Sequence, residues 1–193
     1  MLKIQCDPAI MELMSVTLDS SKSNACCHLP VDFYWYGGGS RTAQEHITLA
    51  VEALMGAIKA PANRHWNPYQ EKIIYAEFRK RLEKAAQGKL QPPEELKSLR
   101  GGDILFEIRW QDINVREVNL SGIESYSLVQ VRLIHAQPFE QLGRCILGLH
   151  AHEKVIIKDD PDATKDAQDA EIDIAENLLN SGYPTHWGVI RRT

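Results

Sequence analysis

Residues 127–136 read SLVQVRLIHA, and the alternation of side chains in this stretch decides the fold class. Successive side chains of a strand point to opposite faces, so the stretch has two sides, Leu128, Gln130, Arg132 and Ile134 on one and Val129, Val131, Leu133 and His135 on the other. Residues 104–110 (ILFEIRW) and residues 144–157 (RCILGLHAHEKVII) are two further strand-like runs. The connections between the three runs are short, as in antiparallel neighbours, and predict a β-meander.

Helical patterns lie on both sides of this meander. Residues 31–36 (VDFYWY) predict a strand, and Thr42 with Glu45 has the spacing of a capping box that opens a helix lasting until Pro61. A second helix is predicted over 69–87 and a last one over 162–179. The order indicates an α+β fold, a small antiparallel curved sheet with an N-terminal helical hairpin and a C-terminal helix. We interpret residues 1–30 as an N-terminal extension and residues 31–193 as one domain.

Composition limits the classes of function. The net charge is −4 and the pI is near 6.0, which argues against attraction of nucleic acid over the whole surface. Acidic residues concentrate in 159–176, whereas 60–100 has a basic excess, so a nucleic-acid surface must be local. No segment reaches the roughly 20 apolar residues of a membrane span, and residues 1–14 do not resemble a signal peptide. The four cysteines are too few and irregular for a disulfide framework, which favours reduced thiols in the cytoplasm.

Two motifs suggest ligands weakly. The run from Gly37 to Ser40 precedes a helix, whose N-terminus attracts phosphate, but it has no following lysine. The pair His150-x-His152 places two imidazoles on one side of a strand, and a third metal ligand would have to come from His135, Glu153 or Cys145. We expect packing or hydrogen bonding of these histidines instead, with no metal and no cofactor.

Basic residues inside the C-terminal strands are a more specific pattern. Arg109, Arg132 and Lys154 each fall in or just beyond a predicted strand, where a buried unpaired charge is costly. If the strands are neighbours, the three cations converge and can bind a phosphodiester and offset the charge of its transition state. Proton transfer near neutral pH would come from the nearby histidines, His135, His150 and His152. The alternative is structural pairing with Glu107, Glu117, Glu153 or the acidic helix.

A second basic group is a candidate RNA-binding surface. Arg79, Lys80 and Lys84 lie on polar faces of the second predicted helix, and Arg144 opens the last strand. The alternative for the helix is an ordinary solvated charged face.

Residues 99–179 resemble the RelE/ParE toxin superfamily, especially its phage-derived HigB-like branch. The segments that carry the resemblance are SLRGGDILFEIRW, VQVRLIHA, ILGLHAHEKVIIKDDPD and DAQDAEIDIAENLL, in that order. The strand at 31–36 and the two helices stand where that fold has its first strand and helical hairpin. The chain differs from the family pattern at His152, where an aromatic residue is usual, and at Glu153-Lys154, which replaces a pair of lysines.

The resemblance implies a RelE-like fold and a toxin-like endoribonuclease of a toxin–antitoxin pair. Such an enzyme cleaves mRNA on the ribosome without metal and is neutralised by a cognate antitoxin protein. Arg109, Arg132 and Lys154 would then be the active-site cations, with His150 and His152 beside them. Two other functions stay open, a ParE-like inhibitor of a protein target such as gyrase and a catalytically inactive RelE-fold binding module.

Overall fold

The computed structural model describes residues 23–91, 94–100 and 104–190. Within these ranges the helices are α1 (Ala43–Lys59), α2 (Pro68–Ala86), the single turn α3 (Phe139–Leu142) and α4 (Pro161–Gly182). The strands are β1 (Asp32–Trp35), β2 (Arg64–His65), β3 (Leu96–Ser98), β4 (Leu105–Val118), β5 (Glu124–Ala136) and β6 (Cys145–Glu153). The α+β class and the order of the main elements are therefore confirmed. None of the described helices combines the length and the apolar composition that crossing a membrane requires.

All six strands of the described chain form one mixed, open sheet. Its order is β1-β6-β5-β4, and both β2 and β3 pair with the outer edge of β4. The predicted meander of β4, β5 and β6 is confirmed, but the prediction of a purely antiparallel sheet is wrong, because β1 runs parallel to β6 with Phe33 opposite Ile146. Three helices and four strands lie between β1 and β6 in the chain, and such a long connection permits either direction.

The strands β4 and β5 form a longer hairpin than expected. Their pairing shifts between Trp110 and Ile113, where Asp112 adopts a positive φ of 58°. This bulge inserts one extra residue into β4, so the alternation of side chains shifts by one position after Trp110. Ile113 and Val115 therefore point to the same face as Trp110. Residues 115–126 are consequently the distal arms and turn of a hairpin.

Helices α1 and α2 cover one face of the sheet. Thr42 and Glu45 form the predicted capping box of α1, and Asn67 caps α2 ahead of Pro68. Their buried side chains pack with the inward side chains of β1, β4, β5 and β6 in one core, which includes Ile47, Leu54, Phe78, Leu82, Ile108, Trp110 and Leu133.

Helix α4 covers only part of the other face. Its Ile172 and Ala175 pack against Ile134, Ala136 and Leu147 in a second apolar core. The preceding residues of β5 on this face are polar, Gln130 and Arg132, and give α4 no apolar surface to cover. An uncovered polar half of the sheet therefore borders the helix.

The folded unit starts before the boundary expected at residue 31. Ala25 is fully buried in the first core, and Leu90 donates its backbone N–H to the Ala25 carbonyl. The Ser23 hydroxyl lies 3.0 Å from Nε2 of His135. Residues 23–30 thus belong to the domain, and residues 1–22 of the expected extension lie outside the described residues.

Candidate functional site

Three neighbouring strands bring the predicted site residues into one row. Arg109 of β4 is in register with Arg132 of β5, and Arg132 is in register with His152 of β6. In-register side chains of neighbouring strands share a face and lie about 5 Å apart. Lys154 follows β6 directly, anchored by its backbone N–H, which donates to the Gln130 carbonyl at 2.8 Å. The expected convergence of Arg109, Arg132 and Lys154 is therefore confirmed as an arrangement in space.

The row opens into a cleft of about 480 Å³ between the polar half of the sheet and α4. Five basic and two acidic residues line it among the described residues, Lys97, Arg100, Arg132, Lys154 and Lys165 against Glu107 and Asp169. This local excess of positive charge stands out in a chain whose net charge is −4. A cleft of this charge attracts an anionic group.

Arg132 is less accessible than its position in the row predicts. Only 1% of the residue is exposed, and its guanidinium donates to the carbonyls of Trp110 and Val131 and to the side chain of Gln130 at 2.6 to 3.0 Å. Burial lowers the pKa of Arg132 to about 10. Arg132 lines the cleft, as its position in the strand predicts, but three of its hydrogen bonds are made within the protein. An alanine substitution here would remove structural hydrogen bonds together with the charge.

Glu107 partly neutralises the two arginines of the row. Its carboxylate lies 3.3 Å from Nε of Arg109 and 3.6 Å from Nε of Arg132. Two of the cations in the row thus make the structural pairing with Glu107 that the sequence offered as an alternative. The alternation of β4 places Glu107 and Arg109 on one face, and that signal was visible in the sequence.

Lys154 is a half-buried cation at the end of the row. Burial lowers its pKa, and the charges of Arg132 and Arg109 lower it further, against the opposing effect of Glu107. The neighbouring positive charges therefore destabilise the protonated form of Lys154. A bound anion would offset this effect.

His150 and His152 lie side by side on the cleft face of β6. Their rings are stacked, with centroids 5.5 Å apart and an angle of 14° between planes. His150 Nε2 is 2.5 Å from a carboxylate oxygen of Glu171 on α4. His152 is 8% exposed, and its burial lowers its pKa to about 4, so the imidazole is neutral at pH 7.

Sequence reasoning missed Glu171. The acidic run of α4 was recognised, but no pattern in the chain specifies which of its carboxylates meets β6. The third ligands that were considered lie elsewhere: Glu153 accepts a 2.8 Å hydrogen bond from Arg64 on the other face of the sheet, and Cys145 and His135 are fully buried.

His135 is a core histidine. It is fully buried, stacks on Phe106 on the face of the sheet away from the cleft, and hydrogen bonds to Ser23. Burial lowers its pKa to about 3, so its expected role in proton transfer is wrong.

His135 should make the fold sensitive to acid. The unfolded chain binds a proton here near pH 6.5 and the folded chain only near pH 3, so stability falls as the pH falls between these values. We expect the protonation of His135 to lower the free energy of unfolding by about 2 kcal/mol between pH 7 and pH 5, as measured by urea denaturation. His135→Gln should lose that part of the pH dependence. Equal pH slopes in the two proteins would contradict this assignment.

The second basic group does not join the cleft. Arg79, Lys80 and Lys84 belong to α2, on the opposite face of the sheet. Arg79 bonds to Glu83 and Gln44, Lys84 bonds to Glu95, and Lys80 is exposed. Arg144 precedes the first residue of β6, at the end of the strand remote from His152. RNA binding by these four residues stays a prediction, at surfaces separate from the row.

The glycine run before α1 does not fit a phosphate cradle. Gly37, Gly38 and Gly39 donate their backbone N–H groups to the carbonyls of Trp187, Trp35 and Gly188. Thr42 and Glu45 cap the helix itself. These backbone N–H donors are used within the fold. The weak indication of a phosphate site at Gly37–Ser40 is therefore wrong.

Comparison of the chain with protein-family models, curated proteins and solved structures finds no match. The geometry of the cleft is accordingly the starting point for the functional proposal.

Proposed function

We propose that this chain is a toxin-like endoribonuclease that cleaves mRNA without metal, on the ribosome, and that its cleft is the active site. The observation that carries the proposal is the row of Arg109, Arg132 and His152 across three strands, with Lys154 at its end. Cations at a scissile phosphate bind it and offset the negative charge that grows in the transition state.

RNA supplies its own nucleophile, the 2′-hydroxyl, so the protein has to provide a base, an acid and positive charge. In the proposed reaction the neutral imidazole of His152 takes the proton of the 2′-hydroxyl, and the 2′-oxygen forms a bond to phosphorus. The bond from phosphorus to the 5′-oxygen breaks, and His150, oriented by Glu171, gives its proton to that oxygen. Lys154 holds the nonbridging phosphate oxygens, and the charge of the buried Arg132 beside it adds to their stabilisation. The products are a 2′,3′-cyclic phosphate and a free 5′-hydroxyl.

The finer fold assignment belongs to the same proposal. The meander β4-β5-β6, the helical pair α1 and α2 and the terminal helix α4 have the order of elements that the resemblance to the RelE/ParE superfamily implies. We infer a RelE-like fold on that basis. A cognate antitoxin would neutralise the enzyme, and action on translating ribosomes would place it in the cytoplasm.

The mechanism is tested on programmed ribosomes with an mRNA and a matched message that carries a single 2′-deoxynucleotide at the cleavage position, using protein that has first been stripped of metal with EDTA. We expect cleavage of the first only, with a cyclic phosphate on the product by mass spectrometry. Cleavage of the deoxy-substituted position would contradict attack by the 2′-hydroxyl.

One observation favours the second candidate, a ParE-like inhibitor of a protein target or an inactive binding module. Four large apolar side chains near the turn of the β4-β5 hairpin are more than 60% exposed, Leu120, Ile123, Tyr126 and Leu128. Exposed apolar patches mark protein-binding surfaces. The two proposals differ in a growth assay with the double variant Leu120→Ser, Ile123→Ser, provided that expression of the parent chain stops growth. If the chain acts by binding a protein target, the double variant should no longer stop growth, and if it acts as a ribonuclease, the double variant should still do so.

A further inference from the structure

Three side chains with metal-binding atoms meet at the edge of the cleft. One nitrogen each of His150 and His152 and one carboxylate oxygen of Glu171 lie within 4.8 Å of one another. The histidines come from β6 and the glutamate from α4, so the group joins the sheet to the helix that covers it.

The local fold presents these atoms together. His150 and His152 are two residues apart on a strand, and their rings are nearly parallel. The packing of Ile172 into the second apolar core holds α4 so that the adjacent Glu171 reaches His150. The three groups are thus held near one another by the sheet and by the packing of α4 on the second apolar core.

His152 has an unused polar atom. The residue is 92% buried, since its exposed fraction is 8%, and its Nδ1 has no hydrogen-bond partner among the described residues. A buried polar atom without a partner costs about 1 to 3 kcal/mol, and such atoms in native proteins call for a ligand or another explanation. A cation bound at this nitrogen would supply the partner that it lacks.

We propose that His150, His152 and Glu171 form a binding site for a divalent transition metal, Zn²⁺ being the ion that fits best. Two imidazoles and one carboxylate are a known donor set for zinc, and three protein ligands leave a fourth position open. That position faces the cleft, which His152 lines. The ion would replace the hydrogen bond between Nε2 of His150 and the carboxylate of Glu171.

The positive charges of the cleft oppose a dication, and the carboxylates compensate in part. Arg132 and Lys154 line the same cleft as His152, together with Glu107 and Asp169, and Glu171 gives its own negative charge to the site. We therefore expect moderate affinity. Soft or borderline ions that prefer imidazole, such as Zn²⁺, should bind better than Mg²⁺ or Ca²⁺, which prefer oxygen ligands.

Metal binding has a consequence for cleavage that rests on the proposed function. A zinc ion would occupy the two imidazoles that move protons, so added Zn²⁺ should inhibit metal-independent RNA cleavage. Zinc binding itself is measured without RNA, so failure of the site and failure of the ribonuclease proposal give different results.

The test uses the full chain, freed of metal by EDTA and dialysed, and titrated with ZnCl₂ against a chromogenic chelator. We expect one Zn²⁺ of moderate affinity per chain and a rise in Tm of about 5 to 10 °C at 100 times the Kd. Glu171→Gln and His150→Ala should each weaken binding by about 100-fold or more, as expected for loss of a ligand. His65→Ala is the matched control, because His65 is exposed on β2, away from the group, and should bind zinc like the parent chain.

Circular dichroism shows whether each variant folds, and Glu171→Gln is the conservative one because the glutamine keeps the shape of a partly exposed helical side chain. Zinc affinity that is unchanged in both folded variants would overturn the proposal. A cobalt-loaded protein gives a second readout. Visible absorption bands of Co²⁺ without a thiolate charge-transfer band would support the site. A strong thiolate charge-transfer band would place the ion at cysteines such as Cys26 and Cys27 and would overturn the proposal.

Discussion

Lys154→Ala is expected to lower the rate of RNA cleavage about 100-fold or more while the free energy of unfolding stays the same or rises slightly. The ammonium group of Lys154 is half-buried near Arg132 and Arg109, and both burial and like charge lower its pKa. The folded protein therefore carries this charge at a cost, which alanine relieves. Loss of activity together with retained or increased stability is typical of a residue kept for function.

Lys158→Ala is the matched control, because Lys158 is exposed four residues further along the chain. It should change neither the cleavage rate nor the unfolding free energy measurably. A fall of about 1 kcal/mol or more in the free energy of unfolding of Lys154→Ala, measured by urea denaturation, would show that Lys154 is a structural residue. Lys154 is a better probe than Arg132. Substitution of Arg132 would also remove its hydrogen bonds to the backbone carbonyls of Trp110 and Val131 and so change the structure together with the charge.

Phe78→Ala is expected to cost about 3 to 5 kcal/mol of unfolding free energy. Phe78 is fully buried between α2 and the sheet, and its ring meets that of Trp110 edge to face with centroids 5.3 Å apart. The substitution removes buried apolar surface and an aromatic pair and leaves a cavity in the first core. Urea denaturation followed by tryptophan fluorescence measures the change and also reports on the environment of Trp110.

Tyr69→Ala provides the comparison on the same helix. Tyr69 is 75% exposed in the first turn of α2, so its loss should change the unfolding free energy by less than about 1 kcal/mol. A cost for Phe78→Ala that is no larger than the cost for Tyr69→Ala would show that the face of α2 assigned to the core is wrong.

The elements that follow from local chemistry were predictable from the sequence. The capping box of Thr42 and Glu45 begins α1 where the pattern predicts, and Pro61 follows its end. The alternation at residues 127–136 identifies β5, and the short connections identify the meander. These signals lie within a few residues of one another, so no knowledge of distant contacts is needed.

Features that depend on distant contacts were not predictable. The parallel pairing of β1 with β6 joins residues more than 100 positions apart, and nothing in the local pattern of 31–36 gives its direction. The bulge after Trp110 hides the continuation of β4, because the hydrophobic alternation changes phase by one residue. The burial of residues 23–25, with their contacts to Leu90 and His135, is likewise a tertiary feature.

The candidate site divides in the same way. Strand alternation and neighbouring strands were enough to predict that Arg109, Arg132 and Lys154 converge. Sequence reasoning overlooked that this alternation already places His135 on the face of β5 opposite to Arg132, away from the cations. It also missed Glu171, whose approach to His150 is set by the docking of α4 on the second core.

The central claim is that the row of cations and histidines in the cleft cleaves RNA. Its most direct test is cleavage of mRNA on programmed ribosomes by the purified chain in a buffer that keeps Mg²⁺ for the ribosome, after the protein itself has been stripped of metal with EDTA. The parent chain and Lys158→Ala should cut the message at the ribosomal A site, and Lys154→Ala should not. An intact message with folded parent protein, or equal cleavage by the Lys154→Ala protein, would contradict the account.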